Sequence, residues 1–398
     1  MNFDYDVIVV GGGPGGATAS RFCAQAGLKT LLIEKEKFPR YKPCGGCLSL
    51  KTIRLLDFDF NPLIENTIYG AKFTYCFKDP FSIKSEKPFA FMVMRYRFDQ
   101  FLVNKALESG STILEAEKVV KVEEKDGGVK VELAGGKKFL CEYLIGADGA
   151  ESIIAKSLSS QNNDGKGVAI ESEIPFGSAL SFPKEELQLI HLDFGIIPNG
   201  YGWVFPKKEG LSIGIGGIFR EGEKMNPHKY FTPFLNGLTY LNEGKMERVM
   251  GHPLTPFYDE NQKVSQGRIL LVGDAAHLMD PLMGEGIYYA IRSGMLASEA
   301  IVRSKERGIS PSDLYQATVH LHICENLKWA LYFSRFVFQF TKLAYGALKR
   351  HPELGDFYLK VLEGSETYQG FVERVKERVR DLLKGRLSEK IRKTMARA

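Results

Sequence analysis

Apolar residues follow two rhythms along this chain. Tyr5 to Val10 is apolar but for Asp6 and stops at glycines, Thr18 to Gly27 has helical composition, and Thr30 to Glu34 is apolar again. Strand, turn, helix and strand in that order open a parallel sheet. Arg97 to Ser109 reads as a helix with Phe98, Phe101, Leu102 and Leu107 on one side, and Val119 to Val122 with Val129 to Leu133 reads as a hairpin around Asp126-Gly127-Gly128. The apolar strand Tyr143-Leu144-Ile145 follows. From about residue 165 to 266 the texture shifts to short apolar stretches broken by Pro, Gly and Asn, which predicts an antiparallel sheet. Buried-strand texture returns at Arg268 to Val272, and helical composition runs from Gly286 to the end.

The pattern predicts an α/β chain: a Rossmann-like half from residues 1–60, 91–164 and 267–310, an inserted antiparallel-sheet half from 61–90 and 165–266, and a helical region over 311–398. A chain of 398 residues, 44% hydrophobic, is long enough for several cores. Its apolar runs fall far short of the roughly 20 residues that cross a bilayer. Asp4 and Asp6 at the start do not fit a secretory leader, and six dispersed cysteines fit a reducing compartment, so a cytoplasmic protein is expected.

The charge is uneven. Residues 366–398 hold ten Lys or Arg against five acids, which accounts for the whole net charge of +5. Such a tail reads as a solvated helix face or as a patch for an anionic membrane surface. Nucleic acid is not among the expected partners. The stretch Trp329 to Leu348 carries Trp329, Tyr332, Phe333, Phe336, Phe338, Phe340 and Tyr345, which suits either packing on the inserted half or peripheral contact with a membrane.

Three separated glycine clusters carry the chemistry. Gly11, Gly13 and Gly16 fit G-x-G-x-x-G directly after a strand, with Pro14 and Gly15 between them. A turn of this kind lets a pyrophosphate approach bare backbone at a helix N-terminus. Glu34, about 20 residues on, is placed to accept hydrogen bonds from a ribose, with Lys35 beside it. Gly146-Ala147-Asp148-Gly149 and Gly273-Asp274 each follow a further buried strand, and Pro281 to Gly286 comes next, ahead of Ile287.

These clusters resemble the fingerprints of glutathione-reductase-like flavoproteins of the aromatic-hydroxylase subgroup. The resemblance implies FAD, with Asp148, Gly149, Gly273 and Ile287 among the cofactor-binding residues, Asp274 at the flavin-side ribityl or ribose hydroxyls, Pro281 to Gly286, with Gly284, against the isoalloxazine, and Arg95 near the phosphates. No second G-x-G-x-x-G unit follows a strand, so the electron donor, NADPH or ferredoxin, is expected to visit transiently. Pro198 to Lys207 reads P-N-G-Y-G-W-V-F-P-K and resembles the signature of the geranylgeranyl reductase family. There it lines the substrate cavity, which assigns Tyr201, Trp203, Phe205 and Pro206 to substrate. Lys42-Pro43-Cys44-Gly45-Gly46 resembles a second segment of that family, placing Cys44, Gly45 and Gly46 near the ring.

Cys44 is the candidate proton donor, since an ordinary thiol, with a pKa of about 8.5, is protonated at neutral pH. With Cys47 it also forms a C-x-x-C, which admits a redox dithiol; a metal site lacks further ligands, and none is expected. His277 reads as packing or as an acid–base residue. The family implies an FAD-dependent reductase saturating double bonds of a prenyl lipid, with a flavin hydroxylase and a non-catalytic electron carrier as the alternatives.

Overall fold

Tyr5–Val10 is flanked by parallel partners on both edges, Thr30–Ile33 on one and Lys138–Gly146 on the other. In the computed structural model, which describes residues 2–125, 127–158, 166–177, 181–219, 226–241, 249–378 and 380, five parallel strands run side by side. Their order is Ile269–Leu271, Lys138–Gly146, Tyr5–Val10, Thr30–Ile33, Thr112–Leu114. All four residues of Val7–Val10 and of Thr30–Ile33 are buried, as strands covered on both faces must be. The hairpin of Val119–Lys125 and Gly128–Leu133 extends the sheet antiparallel, longer at its first strand than the sequence pattern predicts. Residue 126 lies outside the described residues.

This order has a consequence for function. The three strands that precede the glycine clusters are immediate neighbours, with Val10 opposite Gly146 and Gly146 opposite Leu271. Clusters that are far apart in sequence therefore meet at one edge, the carboxyl end of a parallel sheet, where such folds bind ligands.

A second sheet has seven strands in the order Val249–Leu254, Lys166–Pro175, Gly210–Phe219, Gly200–Pro206, Leu189–Phe194, Gly70–Tyr75, Lys78–Lys84. It is antiparallel except where Leu189–Phe194 runs parallel to Gly70–Tyr75, a pair that joins strands more than a hundred residues apart. A three-stranded sheet of Cys47–Ser49, Ala90–Val93 and Ile64–Ile68, not foreseen from the pattern, pairs with neither and packs on the seven-stranded sheet through Ile68, Ala90 and Met92. Its short strands alternate weakly, and only pairing reveals them.

The helix Arg95–Glu108 starts two residues before the sequence pattern places it, so Arg95 sits in its first turn. Ile287–Arg307 is the longest helix and crosses Pro14–Gln25 closely: a side chain at Gly294 would collide with the Gly15 carbonyl. Beyond it come Pro311–Val319, a π turn at His320–Cys324, Glu325–Gln339, Thr341–Arg350 and Pro352–Glu363, then a helical run over 368–378. Trp329, Phe333 and Phe338 pack against the main core, and the Tyr345 hydroxyl donates to the carbonyls of Phe73 and Asp79 on the seven-stranded sheet. Tyr332, Phe336 and Phe340 are exposed, so the aromatic stretch divides between packing and surface. Most of the basic tail, from 381 onward, lies outside the described residues.

Candidate functional site

One cavity lies between the parallel sheet's carboxyl edge and the seven-stranded sheet, and nearly every candidate residue converges on it. Its first wall is backbone. Gly11 has φ +104°, and a side chain there would strike the Ala147 carbonyl; one at Gly16 would strike the Gly11 carbonyl. These two glycines let turn, loop and helix close on one another. Gly13 differs, since a Cβ there meets nothing nearer than the Arg40 guanidinium at 3.9 Å. Gly13, Pro14, Gly15 and Gly16 form the wall, and the helix Pro14–Gln25 has no side-chain cap. Open backbone beside unsatisfied helix N–H groups fits a pyrophosphate.

Cations gather at the same end. Arg95 lines the cavity and holds Asp99 through two bonds of 2.8 and 2.9 Å, while Arg40 reaches the same carboxylate at 3.0 Å. Asp99 is fully buried; burial works against its charge, but Arg95 and Arg40 hold it below the usual carboxylate range. Lys42 also lines the cavity, with its Nζ 3.7 Å from Asp274. Burial pushes the Lys42 ammonium down, against the pull of Asp274.

Five of the candidate cofactor and substrate residues are not on the cavity wall, each for a local reason. Gly11 is consumed in the turn. The Glu34 carboxylate accepts from the backbone N–H groups of Gly12 at 2.7 Å and Glu36 at 3.1 Å, which ties it to the glycine turn. Lys35 points to solvent. Asp148 accepts from Ser152 Oγ at 2.5 Å and the Ile153 N–H at 2.8 Å, capping the short helix Ile153–Ser157, while its neighbours Ala147 and Gly149 reach the cavity. Pro206 is buried, with its carbonyl taken by the Asn66 amide.

The loop after Gly273 forms the floor. Asp274, Pro281, Gly284, Gly286 and Ile287 all line the cavity. Asp280 organises them: one carboxylate oxygen accepts from the N–H groups of Leu282 and Met283 at 2.7 and 3.1 Å, the other from the Tyr368 hydroxyl at 2.5 Å. His277 is held in the left-handed region at φ 51° with its ring 5.1 Å from Tyr258, and it does not reach the cavity.

Lys42 to Cys47 cross between the two sheets. Glu171, buried on the strand Lys166–Pro175, accepts from the Cys44 N–H at 2.6 Å and from the Tyr41 hydroxyl at 3.2 Å. Gly45 packs on the Phe205 ring, which a Cβ would approach to 2.6 Å, and Gly46 at φ +72° abuts the Val93 carbonyl. Cys44 lies against the Arg95 guanidinium on the wall. Burial pushes the Cys47 thiol up to about 12, helped by Glu285, which disfavours its thiolate. Both cysteines are free.

The opposite wall is made of rings. Tyr201, Trp203 and Phe205 project from one face of the strand Gly200–Pro206 with centroids 6.4 and 6.1 Å apart. Trp203 donates to Ser212 at 3.4 Å, and its ring lies over Gly214, where any side chain would collide with it. The Tyr201 hydroxyl donates to the Met283 carbonyl, joining this wall to the floor. Ile190 and Leu192 extend the apolar surface.

Sequence reasoning missed Lys42, Glu171, His252, Asp280, Phe338 and Leu362 on the wall. Lys42 was named in its segment without a role, and Asp280 borders the loop from Pro281, so both were within reach. Glu171, His252, Phe338 and Leu362 arrive through strand pairing and helix packing, which leave no local signal.

Comparison with known proteins agrees with this geometry. The FAD binding domain family matches residues 4–191 and 257–313, and the geranylgeranyl reductase catalytic domain matches 177–252. An uncharacterized protein of Methanosarcina barkeri is 33% identical over 92% of each chain. A digeranylgeranylglycerophospholipid reductase of Thermoplasma volcanium is 32% identical over 74% of this chain and 77% of its own. The solved structure of a geranylgeranyl bacteriochlorophyll reductase-like protein from Thermoplasma acidophilum superposes with a TM-score of 0.75 at 24% identity, covering 94% of this chain and 98% of that one.

Proposed function

Since the chain belongs to the geranylgeranyl reductase family of FAD-dependent oxidoreductases, we propose that it saturates carbon–carbon double bonds in a prenyl chain carried on a lipid or lipid-like substrate. The observation that carries this reading is the shared cavity, in which a ring-lined wall faces the loop Pro281–Gly286 and is bonded to it through Tyr201 and Met283.

Reduced FAD, when bound, supplies a hydride to one alkene carbon. The chain's own residues do the rest. The bare turn at Gly13 and the first-turn N–H groups of the helix Pro14–Gln25 hold the pyrophosphate, with Arg95 and Lys42 beside it. Asp274 would accept hydrogen bonds from hydroxyls of the flavin-side sugar chain, and the loop from Pro281 to Gly286, held by Asp280, would seat the ring. Tyr201, Trp203 and Phe205 with Ile190 and Leu192 hold the apolar chain and exclude water, which positions one double bond for attack. Cys44, anchored by Glu171 through its N–H, delivers the proton to the second alkene carbon from its thiol. The electron donor, NADPH or ferredoxin, would have to reach the flavin by transient contact.

The test is direct. The purified protein is reduced anaerobically with dithionite and offered geranylgeranyl compounds, and products are weighed by mass spectrometry. Hydrogen gained in pairs supports the reading; no gain, or an added oxygen atom when air is admitted, overturns it. A Cys44→Ser variant with full flavin occupancy and undiminished turnover removes the thiol from its acid role.

A further inference from the structure

Beyond the cavity, the helices Glu325–Gln339 and Thr341–Arg350 carry an unusual surface. Tyr332, Phe336, Phe340 and Leu343 are 45, 48, 46 and 59% exposed, and the rings of Phe336 and Phe340 touch at 5.5 Å. Tyr332 and Phe336 lie four residues apart on one face of the first helix, Phe340 sits at the break between the helices, and Leu343 lines the same groove as Phe340. Exposed apolar residues elsewhere in the described chain are scattered singly, which is ordinary; a contiguous row is not.

Within the segment itself, charge has one sign. From residue 326 to 352 the sequence has five cations, Lys328, Arg335, Lys342, Lys349 and Arg350, and no Asp or Glu. Lys328 and Lys349 are paired, with Glu260 and Asp79. Among the described residues, Arg335, Lys342 and Arg350 have no acidic partner. An apolar row rimmed by free cations matches an anionic bilayer surface, with rings in the interface and cations at the headgroups. No described helix is long and apolar enough to cross a membrane, so the contact would be superficial.

The row also has an opening beside it. A surface groove lined by Ile196, Ile197, Phe338, Phe340 and Leu343 shares Phe338 and Asn199 with the cavity of the flavin site. Phe338 and Asn199 thus stand at the boundary between the groove and the cavity.

We infer that this face rests on an anionic bilayer and that the groove past Phe338 is where a prenyl chain slides from the bilayer into the cavity. This rests on the prenyl-reductase reading for the identity of the chain but not for the contact itself. The full-length holoprotein is tested by flotation with phosphatidylglycerol vesicles and with phosphatidylcholine vesicles. It is expected to float with the first, to do so less in high salt, and to bind the second weakly. Tyr332→Asp with Phe336→Asp, both outside cavity and groove, is expected to weaken flotation at least about tenfold. The same variant keeps its bound flavin and its turnover of a detergent-dispersed geranylgeranyl compound, but loses turnover when that compound is embedded in vesicles.

Undiminished flotation of the variant overturns the proposal. So does a wild-type dimer that the two substitutions convert to a monomer in the absence of vesicles, since the row then belongs to a second copy. Failure of the wild type to reduce any prenyl compound in detergent sinks the reductase reading instead, and leaves the flotation result standing.

Discussion

The two walls of the cavity are built from opposite materials. The parallel-sheet wall is backbone, made of glycine turns at the ends of three adjacent strands with almost no side chain between them and the cavity. The seven-stranded wall is side chain, a row of rings held by pairing between strands that are distant in sequence. A phosphate needs close approach and oriented N–H groups, which glycine at a helix start provides; an apolar chain needs area, which rings provide. The difference teaches which half of such a site tolerates change.

The largest effect is expected where a backbone wall is filled. Gly16→Ala drives a methyl into the Gly11 carbonyl and should cost about 3 kcal/mol in urea denaturation, with flavin lost on purification. Gly13→Ala adds the same methyl in open space, so stability should hold within about 1 kcal/mol while flavin occupancy falls. Equal destabilisation by both would mean that the wall at Gly13 is packed like the rest of the turn.

On the ring wall the outcome should separate differently. Gly214→Ala collides with the Trp203 indole and the Ile170 carbonyl and should displace the indole, at a cost of about 2 kcal/mol. Flavin absorbance should stay at full occupancy while prenyl turnover drops by about tenfold, because the chain is displaced from its near-attack position. Loss of flavin together with turnover would show that the walls do not act separately.

The same contrast explains what could be read from sequence. Gly11, Gly13 and Gly16 advertise themselves because one local segment contains strand, turn and helix. Tyr201, Trp203 and Phe205 were legible because strand period alone puts them on one face. Glu171 was not: nothing near it in sequence says that its carboxylate crosses to the Cys44 N–H, since that contact depends on how two sheets meet. The parallel pairing of Leu189–Phe194 with Gly70–Tyr75 was equally silent, because a long-range parallel pair has no connecting turn to betray it. Asp148 misleads for the opposite reason. Its place in a motif suggests a ligand contact, while Ser152 three residues beyond Gly149 offers its carboxylate a helix start to cap.

His252 sharpens the comparison at the boundary between the walls. It comes from the edge strand Val249–Leu254, lines the cavity near Lys42 and Asp274, and its Nε2 is buried without a hydrogen-bond partner. Burial, then the Lys42 charge, pushes the imidazole from its ordinary 6.5 down to about 4. Between those values the unfolded chain takes up a proton that the folded protein refuses, so stability must fall as pH falls. The loss between about pH 7 and about pH 5 should be about 2 kcal/mol more in the wild type than in His252→Asn, read from urea denaturation of the holoprotein at each pH. A parallel pH dependence in both proteins would place the imidazole in contact with water. A steeper one in the variant would mean that His252 is charged in the folded state, and that the ring wall brings a cation to the flavin side.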